Sequence, residues 1–530
     1  MSSGPVVPGT APLPSGPPPA PRPRERSAAG ADSTARTARG SWIGLVGSAV
    51  NALAGFALVA LCTHGLGASA AGAVFTGIAV FTILSNGLKL GADTGLVRFV
   101  SRDRTATGGA HAGSLLRIAV APVLVASVLA TLALLLFPQI AHALLPSLPP
   151  ARATAVIRMF AVFLPAATIA LVLLGATRGY GTVVPFVGTE QVGKPLLRVV
   201  LAVPLVLLAP SALSLSAAWV LPTVAGTAVT WVALRRRRRT DAPAAVLTRA
   251  EHRSLVREFW SFSGPRAISS VFDITSVWIG VVLLSLFGTS RDAGIYTAVS
   301  RLITAGTLLQ LAVRLAVAPQ ISGLLAGGRD DEAHGLHRLS TRWIALFSLP
   351  VFVLMAAYPR TVLTLFGGGF PSGAAALVVL CAANTVNVMV GNAQTVILMA
   401  GKSSWNLAVA GTACAVQVGL GVLLIPHTGV LGAGISWGMS VIVDNLLSAA
   451  LVRYRLGFRT VDHGYALAVA VGMLAVAAVA AAVRWRLGDT PAGTGVGTLL
   501  ALTGFGAAVW FLRGPLGVRE FVGTVRRRRS

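Results

Sequence analysis

Apolar residues run in blocks of about twenty along this chain, broken by short stretches of Gly, Pro and charged residues. Ile118 to Phe137, Ala217 to Leu234 and Tyr465 to Val483 are three such blocks. Each is close to the ~20 residues a helix needs to cross about 30 Å of hydrocarbon. One block alone would suit a buried core helix; a regular series of them predicts repeated membrane crossings. The pattern places fourteen spans at 42–63, 70–89, 114–137, 154–176, 186–208, 214–234, 265–287, 294–318, 343–360, 373–399, 404–425, 429–452, 464–484 and 494–512. Short links with Gly or Pro separate many of them, as at Gly65 to Gly67, Pro146 to Pro150 and Gly367 to Gly369. The expected fold is an all-α polytopic membrane protein with about 14 transmembrane helices.

The series repeats weakly. Span two runs out into GLVRFVSR, Gly95 to Arg102, and span eight contains AVRLAVAPQISG, Ala312 to Gly323, with Arg98 and Arg314 separated by 216 positions. Span four ends in LLGATRGYG and span ten in LMAGKSS, with Arg178 and Lys402 separated by 224 positions. A duplicated six-helix unit keeps both copies the same way up, because six is even; chance likeness between apolar stretches is the competing explanation. The duplication predicts two pseudo-repeated six-helix lobes plus two C-terminal helices, with a substrate cleft between the lobes. The expected division is a disordered cytoplasmic tail at 1–40, an N-terminal lobe at 41–240 and a cytoplasmic linker at 241–264. A C-terminal lobe at 265–455, two extra helices at 456–515 and a basic cytoplasmic tail at 516–530 complete it. The linker runs into an amphipathic stretch, Leu255 to Pro265, of the kind that lies in a membrane interface.

Charge gives this series a direction. Only 11% of residues are charged, against roughly a quarter in soluble proteins, yet the net charge is +26. With the N-terminus on the cytoplasmic side, the tails and alternate loops there hold 35 of the 43 Lys and Arg residues. Three of these fall to the fourth loop. The opposite side has Arg152, Arg158, Arg291, Arg360, Arg484 and Arg486, and Arg301 and Arg314 lie within a span. Basic loops resist translocation, so both termini are expected in the cytoplasm of a multi-pass cell-membrane protein. The same distribution argues against nucleic acid, which would need a basic patch on a folded domain.

Few residues offer chemistry. Cys62, Cys381 and Cys414 form no CxxC pair, and the eight histidines are scattered, so neither metal nor cofactor is expected. No phosphate-binding loop or HExxH occurs, and the one GxSxG match, Gly434 to Gly438, stands inside an apolar span and makes no nucleophile elbow, which points to a transporter and not an enzyme. Ionisable residues inside spans are costly to keep and mark functional candidates. Asp273 shares a helical face with Ser269, Ser276 and Gly280; Asp444 shares one with Ser436, Ser440 and Ser448. Asn384, Asn387, Gly391 and Gln394 line span ten, Gln310 and Arg314 lie four apart in span eight, and Ser48, Asn51 and Gly55 share a face of span one. One polar face on each of several helices suits a shared hydrated cavity. Stripes of Ser and Gly also serve plain helix packing, and Arg314 can snorkel to the interface.

Several segments together resemble one family. They are LGASAAGAVFTGIAVF after span one, GADTGLVRFVSR after span two, AGIYTAVSRL opening span eight and APQISGLLAGG ending it. LFGGGFPSGAAALVVL follows span nine and IPHTGVLGAGISWGMS precedes span twelve. In order and spacing the chain resembles the polysaccharide transporters of the multidrug/oligosaccharidyl-lipid/polysaccharide exporter superfamily, over about residues 41 to 520. The resemblance implies alternating access and the flipping of a polyprenyl-linked oligosaccharide or polysaccharide precursor from the cytoplasmic to the outer leaflet. It implies a basic cavity for the anionic headgroup, with Arg98, Arg102, Arg266, Arg301 and Arg314 as contacts. Asn51, Asp273, Asn384, Asn387 and Asp444 are the cavity or ion-coupling candidates. The implied partners are the lipid-linked glycan, the bilayer, and a glycan polymerase or glycosyltransferases acting on the same precursor. The alternatives are a cation-coupled multidrug exporter of the same superfamily and a lipid II flippase. Against the second, span one has no Arg between Trp42 and Cys62. A membrane-embedded transferase would need an acidic pair on an exposed loop, where only Asp330, Asp331 and Glu332 stand.

Overall fold

The computed structural model describes residues 23–458 and 462–514, and among these the chain is helical without a strand. Among the described residues, thirteen helices are long and apolar enough to cross a membrane. The first, Ile43–Thr107, holds two crossings, because the helix breaks at Gly67 with φ 73° and ψ 174°. That conformation is essentially reserved for glycine. Fourteen crossings result, as the hydrophobic pattern predicts. The helix already runs from Pro23, inside the segment expected to be a disordered tail; residues 1–22 of that tail and the basic tail at 516–530 lie outside the described residues.

Among the described residues spans two, four, eight and ten are interrupted, two and eight at corresponding places. Span two pauses at Lys89 to Gly91 before the helix Ala92–Thr107. Span eight, expected as one helix, divides at Thr307 into Ser290–Gly306 and Leu308–Ala326. Gly91 and Thr307 are 216 positions apart, the same separation as Arg98 and Arg314, so the repeat extends to the backbone. Span four divides at Phe163 and span ten at Gly391 and Asn392. In hydrocarbon each carbonyl freed by such a break needs a donor. Pro165 cannot supply one to Ala161, and Thr131 Oγ1 of span three donates there instead at 2.9 Å. In span ten, Gln310 Nε2 donates to the Gly391 carbonyl at 3.4 Å and the Tyr465 hydroxyl to that of Met389 at 2.8 Å.

The amphipathic stretch is continuous with span seven in the helix Arg249–Phe287, which opens on a capping box between Thr248 and Glu251. Its Phe259 is fully buried, 5.4 Å from the Phe99 ring, so this part packs on the N-terminal half. The last two helices, His463–Leu487 and Pro491–Phe511, dock on span nine. The Tyr358 hydroxyl donates to the Ala480 carbonyl at 3.0 Å, and Arg342 pairs with Asp462 at 2.9 Å.

The two halves share one apolar cluster at one face and have separate clusters at the other. On the face opposite the Arg235 to Arg239 run, hereafter the far face, spans two and eight touch backbone to backbone. A Cβ on Gly72 would lie 1.6 Å from the Ser290 carbonyl oxygen, and one on Gly294 2.2 Å from that of Ala68. Ser147 and Ser290 hydroxyls bond at 2.6 Å, and Ser285 Oγ donates to the Leu144 carbonyl at 2.7 Å. One large apolar cluster there includes Phe75, Tyr296 and Phe366 from both halves. At the basic face the cores are separate, one around Leu96, Phe99 and Phe259 and the other around Val317, Ile321 and Phe458. A cleft between the halves lies on the basic side of the shared cluster, bridged where the helix Arg249–Phe287 packs its Ser263 against Gly91.

Candidate functional site

The cleft contains a cavity of about 410 Å³. Span five shapes its N-terminal wall. Residues Val187–Gly193 form a π-helix, in which the Lys194 N–H reaches back five residues to the Thr189 carbonyl. Such wide turns are frequent at functional sites. This one brings Glu190 and Lys194 to the cavity, where they form an ion pair. Gly226 on span six leaves room for the Lys194 stem: a Cβ there would lie 2.6 Å from Lys194 Cε. One turn further, Arg198 donates from Nε to the Trp219 carbonyl at 3.0 Å, and its guanidinium lies 3.8 Å from the centre of the Trp219 ring. From the other half, Arg301 of span eight sits 4.8 Å over the ring of Trp278. Its Nε is buried without a hydrogen-bond partner among the described residues.

Each half thus contributes one arginine held on one tryptophan. Cation–π contact of this kind is worth about 0.5–2 kcal/mol, and it orients the guanidinium without consuming its N–H donors. Three cations, Lys194, Arg198 and Arg301, face the cavity against a single lining carboxylate, Glu190. The wall is otherwise apolar with a few neutral polar groups, among them Ser48, Asn51 and Asn86. Such a cavity can hold an anion, with aromatic and amide groups beside it for a polar headgroup.

The residues singled out in the sequence fall into separate groups. Arg301 and Asn51 line the cavity. Arg98, Arg102 and Arg266 gather at the basic face: Arg98 lies 4.4 Å and Arg266 5.9 Å from the Phe262 ring, and Arg102 pairs with Glu258 through two bonds of 2.6 and 3.0 Å. Arg314 lies in the C-terminal half, its Nε buried without a hydrogen-bond partner among the described residues. Near it Asp444 accepts two hydrogen bonds from Gln394 Nε2, at 3.1 and 3.3 Å. Asn387 exchanges amide hydrogen bonds with Gln310 at 3.1 and 3.2 Å and donates to Asn384 at 3.3 Å. Asp273 is exposed and lines no part of the cavity.

Of the three basic residues counted to the fourth loop, Arg178 alone stands in it; Lys194 and Arg198 lie inside span five, within its expected bounds of 186–208. Their signal in the sequence is the four-residue spacing of KPLLR within an apolar run, with Glu190 a further four residues back. A second missed group is the buried Asp93, 3.2 Å from Lys89 and 3.5 Å from Arg178.

The model of the Polysaccharide biosynthesis protein family matches residues 37–324. No curated protein matches the chain in sequence. Among solved structures, the fold is similar to the lipid II flippase MurJ in an inward closed conformation, with a TM-score of 0.70 at 10% identity over 88% of this chain and 98% of that one. It is also similar to an inward-facing multidrug resistance MATE family transporter of the MOP superfamily, with a TM-score of 0.63 at 16% identity over 77% and 94%. A MOP superfamily transporter from Pyrococcus furiosus gives 0.55 at 17% identity over 80% and 95%. At these identities the likeness is one of fold.

Proposed function

Because the chain belongs to the Polysaccharide biosynthesis protein family, we propose that it moves a lipid-linked oligosaccharide or polysaccharide precursor across the cell membrane by alternating access. The observation that carries this reading is the pair Arg198 on Trp219 and Arg301 on Trp278, one from each half, facing one cavity. An arginine fork can bind two oxygens of a phosphate at once, while the lipid tail stays in the bilayer. The charge asymmetry of the loops makes the basic face cytoplasmic. Movement is then outward, and an inside-negative potential favours it by ~2.3 kcal/mol per anionic charge per 100 mV. Arg98, Arg102 and Arg266 draw the anion towards the open cleft. Asp444 with Gln394, and the amides of Asn384 and Asn387, are the groups we assign to ion coupling in the C-terminal half. A cation-coupled drug exporter shares this fold, but three cations against one carboxylate repel cationic drugs. The test is to replace Arg198 and Arg301 singly with Ala and to measure surface glycan in the host at matched protein abundance. A loss of tenfold or more is expected in each; wild-type glycan in both would overturn the reading.

A further inference from the structure

Glu190 has no place in simple anion recognition, yet it stands among the cavity's three cations. It is the one carboxylate lining the cavity, in direct contact with Lys194, whose side chain is only 6% exposed. Arg198 is a further turn along the same helix, so one face of span five reads anion, cation, cation at four-residue spacing. A buried ammonium without a counter-ion is strongly disfavoured, so the empty cavity needs Glu190.

We propose that Glu190 is a built-in stand-in for the substrate's anionic group, neutralising Lys194 in the empty carrier and competing with the headgroup for it. This rests on the reading of the cavity as an anion site. Two consequences follow from the competition. Affinity is held down, because the bound anion and the Glu190 carboxylate repel each other across Lys194. Release is helped, because Lys194 regains a partner when the headgroup leaves, and a carrier that binds too tightly cannot discharge. The four-residue spacing sets Glu190 and Lys194 on one side of span five, and both line the cavity.

The test uses the full chain in nanodiscs, with inorganic pyrophosphate as the probe and calorimetry as the readout. Glu190→Gln removes the competing charge and keeps the shape. It is expected to bind pyrophosphate about tenfold more tightly than wild type, while surface glycan in the host falls several-fold. Glu190→Asp keeps the charge and is expected to bind as wild type does. Should the Gln variant fail to fold, Glu190→Ser is measured in its place, with the same tightening expected. Unchanged or weaker binding by the neutral variant, with Arg198→Ala and Arg301→Ala both reducing affinity, would overturn the role of Glu190 alone. Unchanged binding in all of these variants would overturn the anion site and the proposal with it.

Discussion

At the scale of single residues, the cavity depends on arginines whose charge is placed by an aromatic plane. Arg198 has two constraints, the Nε bond to the Trp219 carbonyl and the stack on the Trp219 ring. Lysine keeps the charge but has neither a planar face nor a fork. Arg198→Lys is therefore expected to lose about 1.4 kcal/mol of headgroup binding, or roughly tenfold. Pyrophosphate titration of the purified protein checks this, and an unchanged affinity would show that charge alone suffices. Arg301 was legible in the sequence because it stands isolated in span eight, where an ionisable residue is conspicuous. Lys194 and Arg198 stand inside the expected span 186–208, but counting them with the basic residues of the fourth loop hid them as cavity groups. The tryptophans gave no signal at all, since Trp219 and Trp278 are ordinary members of apolar runs.

At the scale of elements, hydrophobic length was sufficient to place every crossing, and punctuation explained only some of the breaks. Gly67, Pro165 and Gly391 are visible breakers. Thr307 is not: span eight divides there where Gly306 is pressed against the ring of Phe352, a tertiary contact no local pattern records. The π-helix of span five was equally hidden, because an extra residue in a turn shifts the register without altering hydropathy. The Gly67 break offers a clean test of backbone conformation. A Cβ there would meet nothing within 4 Å, so Gly67→Ala tests φ and not packing. A cost of order 1–3 kcal/mol is expected, read as a fall of several degrees in thermal unfolding temperature in detergent. Gly419, in a regular helix and equally unobstructed, is the control: Gly419→Ala should leave stability unchanged or slightly raised. Equal effects at both positions would contradict the account.

At the scale of the whole molecule, the weak repeat between Arg98 and Arg314 proved to mark matched interruptions in two halves. What the repeat could not give was the relation of the halves, because contacts such as Ser147 with Ser290 join residues 143 positions apart with no pattern between them. That contact supplies a test of alternating access. The hydroxyls lie 2.6 Å apart, and the native cysteines Cys62, Cys381 and Cys414 are buried. Ser147→Cys with Ser290→Cys is expected to form a disulfide under mild oxidation and to block glycan export until reductant is added. Full export by the oxidised, cross-linked protein would mean that the far face need not open.

The backbone contact of Gly72 with Ser290 also sets a mechanical ratio. Two bodies that touch at one rim of a slab about 30 Å thick act as a lever with its fulcrum at that rim. While the far face stays closed, a rocking of about 20° at such a fulcrum displaces the other rim by ~10 Å, enough to admit or exclude a sugar ring. Any side chain added at Gly72 would thicken the fulcrum and hold the arms at a different angle.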